Sequence, residues 1–110
     1  MYFIKKQFEI AGCHYLTLDY DSKCEQMHGH NWIVTVYCKR ETLNQNGMVI
    51  DFTSISSHIK NTLDHKNFNL VLPFNPTAEN IAKFICEEIE YCYKVTVQES
   101  KNNEATYEKI

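Results

Sequence analysis

The sequence predicts an α+β domain over residues 1–110: one four-stranded antiparallel sheet with two helices on one face, in the order ββααββ. Three observations carry this. Residues 31–40, NWIVTVYCKR, alternate, with Trp32, Val34, Val36 and Cys38 facing one way and Ile33, Thr35 and Tyr37 the other. Residues 52–63 switch to helical spacing, with Phe52, Ile55, Ile59 and Leu63 on one stripe. Residues 94–99, KVTVQE, return to alternation.

Each element follows in order. Residues 1–11 alternate loosely, with Phe8 and Ile10 on one face, and form the first strand. Residues 12–30 are loop-like and hold most of the unusual side chains, and the second strand follows at 31–40. NQNG at 44–47 signals a turn, and MVIDF at 48–52 is a short extended segment. Asp51 or Thr53 caps the helix at 52–63. Residues 64–77 are irregular and contain both prolines. The second helix starts near Thr77 or Ala78, with Glu79 in its first turn and Ile81, Phe84, Ile85, Ile89 and Cys92 as its apolar stripe. A last strand at 104–110 pairs with 94–99 through SKNN. Four strands leave two open edges, and pairing between copies of the chain would close them, so a homo-oligomer is expected.

Composition narrows the partners. The chain is 44% hydrophobic and 23% charged, with a net charge of −3. No run of Lys or Arg exceeds the pairs Lys5-Lys6 and Lys39-Arg40, and this argues against phosphate-backbone binding. The N-terminus lacks the apolar core of a signal peptide, and no apolar run is long enough to span a bilayer. Cys13, Cys24, Cys38, Cys86 and Cys92 are odd in number and form no Cys-x-x-Cys, which favours reduced thiols and a cytoplasmic location.

The chemistry concentrates in CEQMHGHNW, residues 24–32. His28 and His30 point to one side of an extended segment, and Gly29 between them adds no bulk and permits a bend. If the first two strands pair antiparallel, His14 returns beside them. Three neutral imidazoles with one open position suit catalytic zinc, although iron, copper or nickel also bind imidazole. The competing reading is a pair of exposed loop histidines. Cys24 has three readings: a fourth ligand, an inert residue, or a reactive thiol whose thiolate a nearby positive charge supplies.

Asp64-His65 can act as a proton-shuttling pair if the carboxylate holds the imidazole, or can be two surface residues. Glu99, following Val95 and Val97, needs a donor if buried, and a ligand with a guanidine-like N–H edge would supply one. Otherwise it is an exposed strand-end glutamate. His58 lies off its helix's apolar stripe and reads as solvated.

The chain resembles the 6-pyruvoyl-tetrahydropterin synthase/QueD family of tunnelling-fold (T-fold) enzymes. The resemblance rests on FEIAGCH (8–14), CEQMHGHNW (24–32), MVIDF (48–52), LDHKNFN (63–69), NPTAENIA (75–82) and VTVQES (95–100), in order over nearly the whole chain. It implies zinc on His14, His28 and His30. It implies Cys24 as catalytic thiol, completed for proton transfer by Asp64 and His65. It implies Glu99 on the 2-amino-pyrimidinone edge of a pterin, and Thr77 as a pterin contact from a neighbouring subunit. It also implies trimers stacked into hexamers, with sheets joined edge to edge and active sites between subunits.

The short Cys-x-x-x-His spacing resembles the branch that makes 6-carboxy-5,6,7,8-tetrahydropterin, acetaldehyde and triphosphate from 7,8-dihydroneopterin triphosphate, on the route to queuosine. The alternatives are the pyruvoyl-forming branch, which eliminates triphosphate without carbon–carbon cleavage, and a non-catalytic zinc- or pterin-binding module. Gly12-Cys13, where the family has two small residues such as Ala-Ala, Ser100 in place of Thr, and a short last strand depart from the family pattern.

Overall fold

A long antiparallel hairpin forms the spine of the molecule. The computed structural model describes residues 1–110. Strands β1 (Tyr2–His14) and β2 (His28–Arg40) pair in register from Tyr2 opposite Arg40 to His14 opposite His28. Helix α1 (Phe52–Leu63) follows, then a two-residue strand β3 (Lys66–Asn67) and a single-turn helix α2 (Phe68–Val71). Helix α3 (Ala78–Glu88) leads into strands β4 (Cys92–Ser100) and β5 (Asn103–Glu108). The sheet order is β3-β1-β2-β4-β5, all antiparallel except β3, which runs parallel to β1.

The fold class is therefore α+β, with two corrections to the expected layout. The sheet is five-stranded and mixed, not four-stranded and antiparallel. The order is ββαβααββ with three helices, not ββααββ. Both changes come from the stretch expected to be irregular, where Asn67 accepts from the Asn69 amide and starts α2. MVIDF is bent and not extended. The β-hairpin also reaches further than expected, since β1 runs to His14 and β2 begins at His28. Ladder pairing with β1 extends β2 through Gly29, a residue that disfavours strands on its own.

The alternating faces hold. Trp32, Val34, Val36 and Cys38 are fully buried, beside Phe8 and Ile10 of β1 and Val95 and Val97 of β4. Ile55, Ile59 and Leu63 of α1 and Ile81, Ala82, Ile85 and Cys86 of α3 cover that face. Phe52 is half exposed, and Phe84 is partly buried against Phe74. Of the two capping options for α1, Asp51 is the one used, accepting from the Thr53 amide at 2.8 Å. Thr77 caps α3, accepting from the Asn80 amide at 3.1 Å.

Candidate metal and catalytic site

Register builds the site at the connected end of the hairpin, where residues 15–27 join β1 to β2. His14 and His28 are direct cross-strand partners, and His30 lies opposite Gly12. Positions 14, 28 and 30 share the face of Trp32, so all three rings gather on one side of the sheet, those of His14 and His30 edge-on to the indole. Ring centroids stand 4.5 Å apart for His14–His28, 4.8 Å for His28–His30 and 5.4 Å for His14–His30. Gly29 keeps strand geometry and makes no bend, and a Cβ there would meet nothing nearer than 3.9 Å.

Backbone carbonyls set two of the imidazoles. His14 Nδ1 lies 2.7 Å from the Pro76 carbonyl oxygen, and His28 Nδ1 2.7 Å from that of Gln26. A carbonyl can only accept, so Nδ1 carries the proton in both rings and each Nε2 presents a lone pair. Burial holds His14 below the ordinary histidine range, against the pull of Pro76, and its two histidine neighbours push the same way.

Glu99 completes the group. It sits one residue past Gln98, the last position of β4 paired to β2, and the ladder to β5 shifts register there. Such bulges re-aim side chains. Glu99 Oε1 lies 2.8 Å from His30 Nε2, 3.6 Å from His14 Nε2 and 4.0 Å from His28 Nε2. The ligating atoms of His14, His28, His30 and Glu99 all lie within 4.8 Å of one another. His14 Nε2 and His30 Nε2 are buried without a well-formed hydrogen bond. Buried nitrogens left so converge on the requirement of a divalent ion for neutral imidazole donors. The residues fit zinc.

The other predicted residues surround this group on two sides. Cys24 stands outside the four-residue cluster but lines a cleft of about 410 Å3 with His28, His30, Glu99 and Ser100. Its thiol is partly exposed, at the centre of a single 3-10 turn (Lys23–Glu25) capped by Ser22. His65 lines a separate cleft of about 470 Å3 with Gly29, His30 and Lys66. His30 borders both.

Asp64 Oδ1 accepts from the Ala11 amide at 2.9 Å, and the His65 amide donates to the Ala11 carbonyl at 2.7 Å. This two-point grip on β1 holds His65 at φ 59°, in the left-handed region. Asp64 Oδ2 comes only to 3.8 Å of His65 Nε2, beyond hydrogen-bond reach, and the imidazole is exposed. Thr77 spends its hydroxyl on the α3 cap, next to the Pro76 carbonyl that orients His14. His58 is exposed beside Glu88 at 3.5 Å, as expected of a solvated residue.

Sequence reading missed the meeting of Glu99 with the imidazoles, which arises from long-range β2–β4 pairing. Pro76 as the orienting carbonyl was equally hidden, since a backbone group leaves no residue-type signal.

Fold and site together define an α+β protein that aims three imidazoles and a carboxylate at one point between two clefts. The family model described as 6-pyruvoyl tetrahydropterin synthase matches residues 3–110. A Synechocystis 6-carboxy-5,6,7,8-tetrahydropterin synthase is 34% identical over 99 residues, covering 82% of this chain and 76% of that one. The human 6-pyruvoyl tetrahydrobiopterin synthase is 31% identical over 94 residues, covering 73% and 65%. Relatives from Pyrococcus horikoshii and Pyrococcus abyssi match at 42% and 47% identity, and the chain spans only 43% and 36% of their length. The solved structure of Caenorhabditis elegans 6-pyruvoyl tetrahydropterin synthase superposes with a TM-score of 0.80 at 25% identity, covering 99% of this chain and 96% of that one. The chain belongs to the 6-pyruvoyl tetrahydropterin synthase family.

Proposed function

We propose that the chain is a zinc-dependent 6-carboxy-5,6,7,8-tetrahydropterin synthase, converting 7,8-dihydroneopterin triphosphate to the carboxy-pterin, acetaldehyde and triphosphate. The observation that carries this is the convergence of His14, His28 and His30 beside Glu99, with Cys24 in the adjoining cleft. The spacing Cys24-x-x-x-His28 and the Synechocystis relative favour the carboxy branch.

His14, His28 and His30 hold the ion through Nε2. When bound, zinc polarises the side-chain hydroxyls and acidifies the neighbouring C–H bonds. Cys24 Sγ moves protons from the cleft shared with His28. The His65 imidazole moves them from the opposite cleft, and Asp64 fixes its place through Ala11. Glu99 uses Oε1 toward the imidazoles, which leaves Oε2 for the N–H edge of the pterin ring. Thr77 contributes a pterin contact across a subunit boundary. The working form is a homohexamer of stacked trimers. The outer edge of β5, and that of β1 from Tyr2 to Ile10, are unpaired within the chain, which supports edge-to-edge joining.

Zinc-loaded protein is incubated with 7,8-dihydroneopterin triphosphate and the products are identified by mass spectrometry. Carboxy-tetrahydropterin with acetaldehyde is the expected result. The nematode fold match favours a second reading, the pyruvoyl-forming reaction, which would give a pyruvoyl-pterin without acetaldehyde. No turnover with zinc bound and the oligomer intact would make the protein a binding module. Cys24→Ala is expected to keep zinc and lose turnover, and His28→Ala to lose zinc. Loss of metal from Cys24→Ala would make Cys24 a ligand.

A further inference from the structure

We infer that Asn69 and Asn75 are positioning residues for Cys24, acting as a side-chain substitute for a missing β-strand. Beyond His14 the chain leaves the β1–β2 ladder but stays tied on both sides. Asn69 Oδ1 accepts from the Tyr15 amide at 2.8 Å, and Asn69 Nδ2 donates to the Tyr15 carbonyl at 3.0 Å. Two residues on, Asn75 repeats the pattern with Thr17, accepting from its amide at 2.9 Å and donating to its carbonyl at 3.0 Å. A primary amide carries one acceptor and a donor pair in a plane, as a peptide group does. Two of them at alternate residues reproduce one edge of a ladder.

The opposite edge of the same segment holds the thiol. Between the two clamped residues, the Leu16 amide donates to the Cys24 carbonyl at 2.7 Å. The Leu18 amide donates to Glu25 Oε1 at 3.3 Å. Cys24 is thus referenced to residues 15–18, which are referenced in turn to Asn69 and Asn75.

Asn75 has a second tie. Its carbonyl accepts from the Thr77 amide and from Asn80 Nδ2, both at 2.9 Å, and the next carbonyl, of Pro76, holds His14. One dipeptide therefore sets both the imidazole and the thiol-bearing segment. Placement of reacting groups to within about 1 Å is what such clamps supply.

This inference rests on the proposed role of Cys24, and its test has one arm that does not. Zinc-loaded Asn69→Ala, Asn75→Ala and the double variant are compared with the parent protein for kcat, KM, zinc content and alkylation of Cys24 by iodoacetamide, located by peptide mapping. The expected result for the double variant is stoichiometric zinc, kcat lower by about tenfold or more, and KM within about threefold. Alkylation at Cys24 is expected to rise by about fivefold as its segment loosens. Alkylation and kcat both unchanged in a folded, zinc-bound double variant would overturn the inference. If the double variant loses zinc or unfolds, Asn69→Ala decides by the same criteria. A parent protein without turnover would defeat the proposed reaction alone, and the alkylation comparison would still decide the clamp.

Discussion

Phe68 fills the space that a side chain at Gly12 would need. A Cβ there would stand 2.2 Å from Phe68 Cζ and 2.3 Å from Cε1, and the ring cannot retreat because it is fully buried against Trp32. The glycine at this position thus has a physical cause in this chain. Gly12→Ala should destabilise by about 1–3 kcal/mol in urea denaturation. Phe68→Leu in the same background should recover part of that loss, and additive costs would show that the two positions do not compete for space. His65 makes a different demand on the backbone. At φ 59° glycine is unstrained, so His65→Gly should be at least as stable as the parent protein while losing turnover. A lower denaturation midpoint would mean that the exposed imidazole packs usefully. The site's histidines were legible one by one, because alternation of His28 and His30 needs no knowledge of the fold. The mutual placement of Glu99 and the imidazoles was not, because it depends on register between strands far apart in sequence.

Among elements, those with many periods were readable and those with few were not. The stripes of β2 and α1 state their faces over several repeats. A two-residue strand and a one-turn helix contain no period, so β3 and α2 were invisible although Phe68 of α2 packs against Trp32 beside His14. Helix α3 reaches the site through its start. Thr77→Ala should cost about 0.5–2 kcal/mol through the lost cap, and Thr77→Ser should restore most of it. If Thr77→Ser is stable yet still impaired in KM for the pterin, the methyl group contacts substrate. The far end of the sheet carries a different chemistry. Cys86 and Cys92 bring their sulfurs to 3.4 Å, and Cys38 lies beside them on β2. Burial pushes the Cys86 thiol up to about 12, and hydrogen bonding to Cys38, with burial, pushes Cys92 up as well. The Cys92 hydrogen bond draws the Cys38 thiol down instead, but Cys38 is fully buried, so alkylation of the native protein should modify Cys13 and Cys24, the two partly exposed thiols, well before the other three. Peptide mapping after short exposure checks this, and early labelling of Cys86 would show that α3 opens from the sheet.

At the scale of the whole molecule, burial of His14 makes stability depend on acidity. The folded protein takes up a proton there less readily than the unfolded chain, whose histidine has the ordinary value of 6.5. Above that value both states are neutral and the full stability is present. As pH falls below it, the unfolded chain gains protons first, and stability declines until the folded value is passed. The urea midpoint of metal-free protein should drop as the pH falls below 6.5. A flat profile would show that His14 is solvated. Assembly belongs to this scale too. Sedimentation should find a hexamer, and a monomer at working concentration would leave the edges of β1 and β5 without the pairing proposed for them.

The single tryptophan lies under the imidazoles, its ring 4.9 Å from that of His14 and 5.2 Å from that of His30. The protein therefore contains its own optical gauge of occupancy. Cobalt or copper entering the site should quench the indole fluorescence, with zinc displacing either and restoring the light. Titrations of the unlabelled chain can be followed in this way before any substrate is in hand.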